Sequence, residues 1–104
     1  SDVYKRQCGE NAKYLEAALK NFKGKPVYLT FDLDWFDPSV MPGTGTPEPG
    51  GYFWGDFAAI IDVIKSHNLV GADLVELSPK LDNSGISSNL AAKVIRSLIM
   101  LLDN

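Results

Sequence analysis

Residues 27–51, VYLTFDLDWFDPSVMPGTGTPEPGG, join an apolar, β-rich run to three aspartates, Asp32, Asp34 and Asp37, and then to a loop packed with proline and glycine. Four of the six prolines and four of the nine glycines lie between Pro38 and Gly51. Few backbone paths satisfy so many fixed and special φ values, so the loop is expected to be long and rigid. Carboxylates at the C-terminal end of a buried strand, followed by such a loop, are how an α/β enzyme mounts a metal site.

The flanking pattern supplies the scaffold. Leu15, Ala18, Leu19 and Phe22 form an i, i+3, i+4, i+7 stripe that predicts an amphipathic helix over 11–22, ended by Gly24. Residues 27–33 show little polar alternation, which predicts a strand buried on both faces of a parallel sheet. Phe57, Ile60, Ile61 and Ile64 predict a second helix over about 55–66, and 69–77 a second strand broken by Gly71 and ending in Glu76. Ser87 or Ser88 is the expected N-cap of a last helix carrying Ala91, Val94, Ile95, Leu98 and Leu102 on one face. The order αβαβα implies a right-handed βαβ unit with parallel strands, hence an α/β fold class. Two such strands alone would leave apolar edges exposed, so sheet neighbours upstream are expected.

Composition narrows the function. The chain has 104 residues, 45% of them hydrophobic, and a net charge of −3, ordinary for a globular domain. No basic stripe interleaved with aromatics argues for nucleic acid. No apolar run approaches the roughly 18 residues of a membrane span, and nothing before the first helix reads as a signal peptide. Cys8 is the single cysteine and has no paired histidine in view, so it is read as inert, in keeping with a reducing cytoplasm. Residues 1–7, SDVYKRQ, begin with Ser and carry neither helical nor strand period. They are expected to be a non-native or disordered leader, with 8–104 the C-terminal part of a larger domain.

Asp32 and Asp34, two apart on an extended strand end, would point to one face. Two carboxylates held this close repel unless a cation or a shared proton lies between them. Hard oxygen donors suit Mg²⁺ or Mn²⁺. Asp37-Pro38 reads as a turn starter, so Asp37 is assigned a structural role. Asp-x-Asp alone also fits a phosphoaspartate phosphatase with Asp32 as nucleophile, or a sugar transferase holding a nucleotide–metal complex. Phe36, where such phosphatases have Thr or Val, counts against the former.

The loop separates these readings. Asp32, Asp34, Asp37-Pro38, then Pro42-Gly43-Thr44-Gly45-Thr46-Pro47 and Gly50-Gly51, resemble the third signature of the ureohydrolase family of arginases and agmatinases. ADLVELSPKLD over 72–82 is similar to the family's next strand. The resemblance implies a three-layer α/β/α, arginase-like fold of which this chain holds the C-terminal portion. It implies two Mn²⁺ ions per complete site, with Asp32 and Asp34 as metal ligands. It also implies a small guanidino substrate met by Glu76, with Thr46 in the loop lining its pocket, and a trimeric or hexameric assembly. Water activated by the metals attacks the guanidinium carbon, releasing urea and an amine. Thr46-Pro47-Glu48-Pro49-Gly50-Gly51 and Ser78-Pro79-Lys80-Leu81-Asp82 are agmatinase-like in form. Agmatine, giving putrescine and urea, is therefore the expected substrate.

The family's upstream His motif, its Asp-x-His-x-Asp motif and its catalytic histidine are not in these 104 residues. His67, the single histidine, reads as a surface or capping residue after the second helix. No general base is assigned here, and the chain alone is expected to be inactive. Trp35-Phe36 and Trp54-Gly55-Asp56 depart from the family's pattern and are expected to alter a pocket mouth or a subunit contact. A non-catalytic remnant that acts only through protein association is the non-enzymatic alternative.

Overall fold

The computed structural model describes residues 10–102; the leader over 1–7 and Cys8 lie outside the described residues. Helix α1 spans Glu10–Leu19 and tightens into a 3₁₀ turn at Lys20–Phe22. Strand β1 (Pro26–Asp32), helix α2 (Trp54–Ile64), strand β2 (Asn68–Val75) and helix α3 (Ile86–Leu102) follow in order. β1 and β2 pair in parallel, Val27 opposite Leu69 and Asp32 opposite Val75. The expected βαβ unit is present, with α2 as its crossover.

Burial along β1 alternates, which corrects the expectation of a strand covered on both faces. Val27, Leu29 and Phe31 turn toward the helices, together with Leu69, Ala72 and Leu74 of β2. On the other face Tyr28, Thr30, Asp32, Val70, Asp73 and Val75 are exposed. That face gains only local polar cover, the Tyr28 hydroxyl and Thr30 Oγ1 both donating to Asp73 Oδ2. Tyr28, Val70 and Val75 leave apolar surface exposed on this face among the described residues.

The core lies on the helical side. Phe31, Leu33, Phe36, Met41 and Phe57 pack with Ala91, Val94 and Leu98 of α3, and Ile60, Ile64 and Leu69 form a second cluster. Phe57 sits at the aromatic centre, its ring centroid 5.3 Å from Phe31 and 6.0 Å from Phe36. α3 buries Ser87, Ala91, Val94 and Leu98 at i, i+4, i+7, i+11. Ile95 and Leu102, expected on that face, are exposed, because one helix rests only a narrow stripe on a two-stranded sheet. The stripe on α1 is likewise only half realised: Leu15 and Leu19 are half-buried, Ala18 and Phe22 exposed.

The start of α2 replaces a Ser/Thr cap with its own first turn. Asp56 Oδ2 accepts the Phe53 backbone N–H at 3.0 Å, the returning half of a capping box. Phe36, 1% exposed, is core rather than pocket mouth. Trp35 stacks on Tyr52 at 4.4 Å between centroids, and Trp54 packs on Phe57 with Lys93 Nζ 4.7 Å from its ring.

Candidate functional site

Both strands of the sheet finish at one end, and Asp32 and Glu76 lie there. Asp32 is the last residue of β1, opposite Val75, so Glu76 follows directly on the neighbouring strand. The chain does not continue extended past Asp32. Leu33–Trp35 forms a 3₁₀ turn in which Asp32 Oδ1 accepts the Asp34 N–H at 3.0 Å. This corrects the same-face argument for Asp32 and Asp34: they are neighbours through a side-chain-capped turn, not through strand alternation. Strand β2 also stops early, at Val75, so Glu76 lies beyond it, exposed and with φ +74°.

Asp37 does what its turn chemistry suggested. Its Oδ2 accepts the N–H and hydroxyl of Ser39, and its Oδ1 accepts the N–H groups of Gly50 and Gly51 at 3.0 and 3.1 Å. One carboxylate thereby joins both ends of the loop. A backbone bridge between Phe36 and Tyr52 closes the same neck: Asp37 N–H donates to the Tyr52 carbonyl at 2.8 Å and Tyr52 N–H to the Trp35 carbonyl at 3.0 Å.

Those donors, the Ser39 hydroxyl foremost and the Ser39, Gly50 and Gly51 amides after it, lower the Asp37 pKa from 3.8 to about 2. The folded value is depressed, so the stabilisation is complete above pH 3.8 and is lost as pH falls toward about 2. Asp37→Asn should therefore be less stable than wild type near neutral pH by about 1–3 kcal/mol. Urea unfolding from about pH 6 down to about pH 2 should show the difference shrinking over the acid limb. A gap independent of pH would refute this role for the charge.

The loop is tied at its other side to the segment after Glu76. Gly43 carbonyl accepts the Ser78 N–H at 2.7 Å, and Gly43 N–H donates to Ser87 Oγ at 2.7 Å. Ser87 is fully buried, and Thr44, beside Gly43, is 2% exposed with its hydroxyl unpartnered among the described residues. Thr46, the expected pocket residue, is exposed. Ser87 is not the N-cap foreseen: α3 begins at Ile86, after Gly85 at φ +80°. Asp82 takes the capping task, its Oδ2 accepting Ser87 N–H at 2.8 Å and its Oδ1 the N–H and hydroxyl of Ser84. Those bonds, the Ser84 hydroxyl first, hold its carboxyl well below the usual carboxylate range. Sequence reasoning missed Asp82, although an acid a few residues before an apolar helix was the available signal.

The donor chemistry at the strand ends fits part of a hard-cation site. Asp32 and Asp34 belong to one turn, in which the Asp32 carboxylate accepts the Asp34 amide, and no group of three or more His, Cys, Asp or Glu side chains among the described residues could hold a metal ion. His67 is remote from these acids in the fold: its backbone N–H donates to the Ile64 carbonyl at the end of α2, and its Nδ1 is buried with no partner among the described residues. A cavity of ≈ 480 Å³ flanks β1 beside Asp32 and is walled mainly by Leu15, Leu29, Phe31, Trp35 and Ile60. Asp34, Thr46 and Glu76 do not line it.

A parallel βαβ unit with acids at both strand ends and one glycine-rich loop clasped by Asp37 is an α/β protein with a candidate site at its strand ends. The Arginase family model matches residues 2–101, and the chain belongs to that family. It is 42% identical over 85 residues to the agmatinase of Chromobacterium violaceum, covering 82% of this chain and 26% of that relative. It is 44% identical over 79 residues to the guanidinobutyrase of Pseudomonas aeruginosa, covering 76% of this chain and 25% of that protein. The proclavaminate amidino hydrolase from Streptomyces clavuligerus superposes with TM-score 0.78 at 34% identity, over 90% of this chain and 30% of that one. The fold is thus arginase-like α/β, and the chain spans about a quarter to a third of the length of these relatives.

Proposed function

We propose that residues 8–104 form the C-terminal part of a cytoplasmic, Mn²⁺-dependent ureohydrolase that hydrolyses a small guanidino compound, agmatine foremost, to putrescine and urea. The observation that carries this reading is the register: Asp32 and Val75 are partners, so a metal-type carboxylate and the Glu76 carboxylate leave adjacent strand ends together. Asp32 and Asp34 would hold the Mn²⁺ pair with hard oxygen donors, completed by ligands from the rest of the domain. The metal supplies, when bound, activation of water at neutral pH.

The chain's own residues do the binding and orienting. Glu76 would meet the planar guanidinium through a two-point, charge-assisted pairing. Thr46 would line the pocket from the loop that Asp37 holds closed. Agmatinase and guanidinobutyrase among the relatives support a guanidino substrate. In the assembled enzyme a trimer or hexamer is the expected state. No helix among the described residues is long and apolar enough to cross a membrane.

Two carboxylates do not make a di-metal site, so the 104-residue chain alone should release no urea. The complete reading frame that carries this chain should release urea from agmatine with Mn²⁺ and lose that activity to a chelator. Urea release by the chain alone would overturn the incomplete-site reading. Phosphoenzyme formation on Asp32, with no urea from the complete protein, would replace the whole assignment.

A further inference from the structure

Among the described residues Glu76 is the single non-glycine residue with a left-handed backbone, φ +74°. A side chain held there is strained, and such strain persists only where the surroundings fix the chain on both sides. On the entry side the fixture is β2, whose last pair is Val75 with Asp32. On the exit side it is Ser78, whose N–H donates to the Gly43 carbonyl at 2.7 Å.

Gly43 is itself held from behind. Its N–H donates to Ser87 Oγ at 2.7 Å, and a Cβ at Gly43 would lie 2.8 Å from that oxygen. One residue thus bridges α3 to the exit of Glu76, its N–H facing the helix and its carbonyl facing Ser78. Asp82, the cap of α3, accepts the Ser87 N–H at 2.8 Å and is also bonded by the Ser87 hydroxyl. The buried hydroxyl therefore joins the Asp82 cap of α3 to the Gly43 amide of the loop.

Resting on the guanidino-hydrolase reading above, we propose that Ser87 is a positioning residue for substrate recognition: through Gly43 and Ser78 it fixes the left-handed turn that aims the Glu76 carboxylate. The same bond seats the 42–47 loop, so the two substrate-facing elements, Glu76 and Thr46, are set by one hydroxyl. The guanidinium needs a carboxylate in a defined plane, and a hinge that relaxes at Ser78 loses that plane before it loses the fold.

The test compares Ser87→Ala and Ser87→Thr in the complete protein, with agmatine as substrate. Ser87→Ala should raise KM about tenfold with kcat held within about twofold, and Ser87→Thr, which restores the hydroxyl, should recover wild-type KM. The Mn²⁺ concentration for half-activation should not move, because Asp32 ends β1 and Asp34 lies in the turn after it, outside the Ser87–Gly43–Ser78 chain of bonds. In the 104-residue chain, amide hydrogen exchange at Gly43 and Ser78 should quicken in Ser87→Ala while the β1–β2 amides keep their protection. An unchanged KM, or a fall in kcat and melting temperature without a KM change, would overturn the proposal. If wild-type complete protein hydrolyses no guanidino compound, the functional reading fails on its own. In that case the substrate-positioning role falls with it, and unchanged exchange at Ser78 would also remove the latch. Should Ser87→Ala not fold, Ser87→Cys, close in shape and a weak acceptor, makes the same comparison.

Discussion

Asp32→Asn in the complete protein is expected to lower turnover of a guanidino substrate by about a thousandfold and to leave the fold in place. Asp32 is exposed at the end of β1, and its Oδ1 accepts the Asp34 N–H at 3.0 Å. An asparagine oxygen accepts the same bond, and the register with Val75 is made by backbone alone. What the substitution removes is a negative charge and an anionic oxygen donor where a divalent cation would be shared with Asp34. Hard cations take neutral amide oxygens less readily than carboxylates at such sites. Steady-state urea release and thermal melting, measured on the same preparation, separate the two consequences. A large activity loss with melting changed by no more than about 2 °C supports the ligand role. Retained activity would remove Asp32 from the site, and a collapse in melting temperature would make it a structural cap. Asp37→Asn should show the opposite pattern, losing stability through its loop bonds. Three aspartates within six residues are thereby divided by what each side chain accepts.

The alternation of strands and helices was legible because its signals are local. Phe57, Ile60 and Ile64 repeat at helical spacing and are buried as that spacing requires. The closed loop was equally legible, since Asp37-Pro38 and the paired glycines specify turn geometry. Where the reading failed, a side chain competed with the backbone or a tertiary contact chose among equivalent residues. FDLDW has strand composition, yet Asp32 captures the next-but-one amide and turns the chain at Leu33. Ser87 and Ser88 are equally good caps by type, but Asp82 accepts the Ser87 N–H at the helix start, and the Ser87 hydroxyl is shared between Asp82 and Gly43. Nothing in VELS announces that Glu76 is left-handed; that conformation follows from the Ser78–Gly43 bond across the loop. Ile95 and Leu102 sit within the apolar stripe of α3 by spacing, and only the width of the sheet beneath decides that they stay exposed. The acids of the candidate site are proposed from residue type and position. The latch proposed to set one of them was not legible there, because its donors and acceptors are 44 residues apart.

Gly51→Ala is expected to destabilise the chain by about 3 kcal/mol, or roughly 15 °C in melting temperature for a domain of this size. The penalty is steric and its location makes it hard to relieve. A Cβ on Gly51 would lie 2.5 Å from the Asp37 nitrogen, 2.6 Å from the Phe36 carbonyl carbon and 2.7 Å from the Asp37 Cα. All three atoms are backbone, so no rotamer change makes room. Moving residue 51 away would open the neck of the loop at once. The Asp37 and Tyr52 amides would lose the Tyr52 and Trp35 carbonyls, and Asp37 Oδ1 would lose the Gly51 N–H. Tyr52 is 1% exposed and stacked on Trp35, so its ring could not follow without uncovering the aromatic core. Gly45→Ala is the matched control. It lies in the same loop with nothing within 4 Å of its Cβ position, and its stability should stay within about 0.5 kcal/mol of wild type. Urea unfolding midpoints of the two variants decide the matter. Equal midpoints would mean that the neck yields, and then a rigid clasp at Asp37 could not be what holds the loop closed. A midpoint lost only in Gly51→Ala places the rigidity of the loop at its closure, where the 36–52 bridge and the Asp37 carboxylate act on the same few atoms.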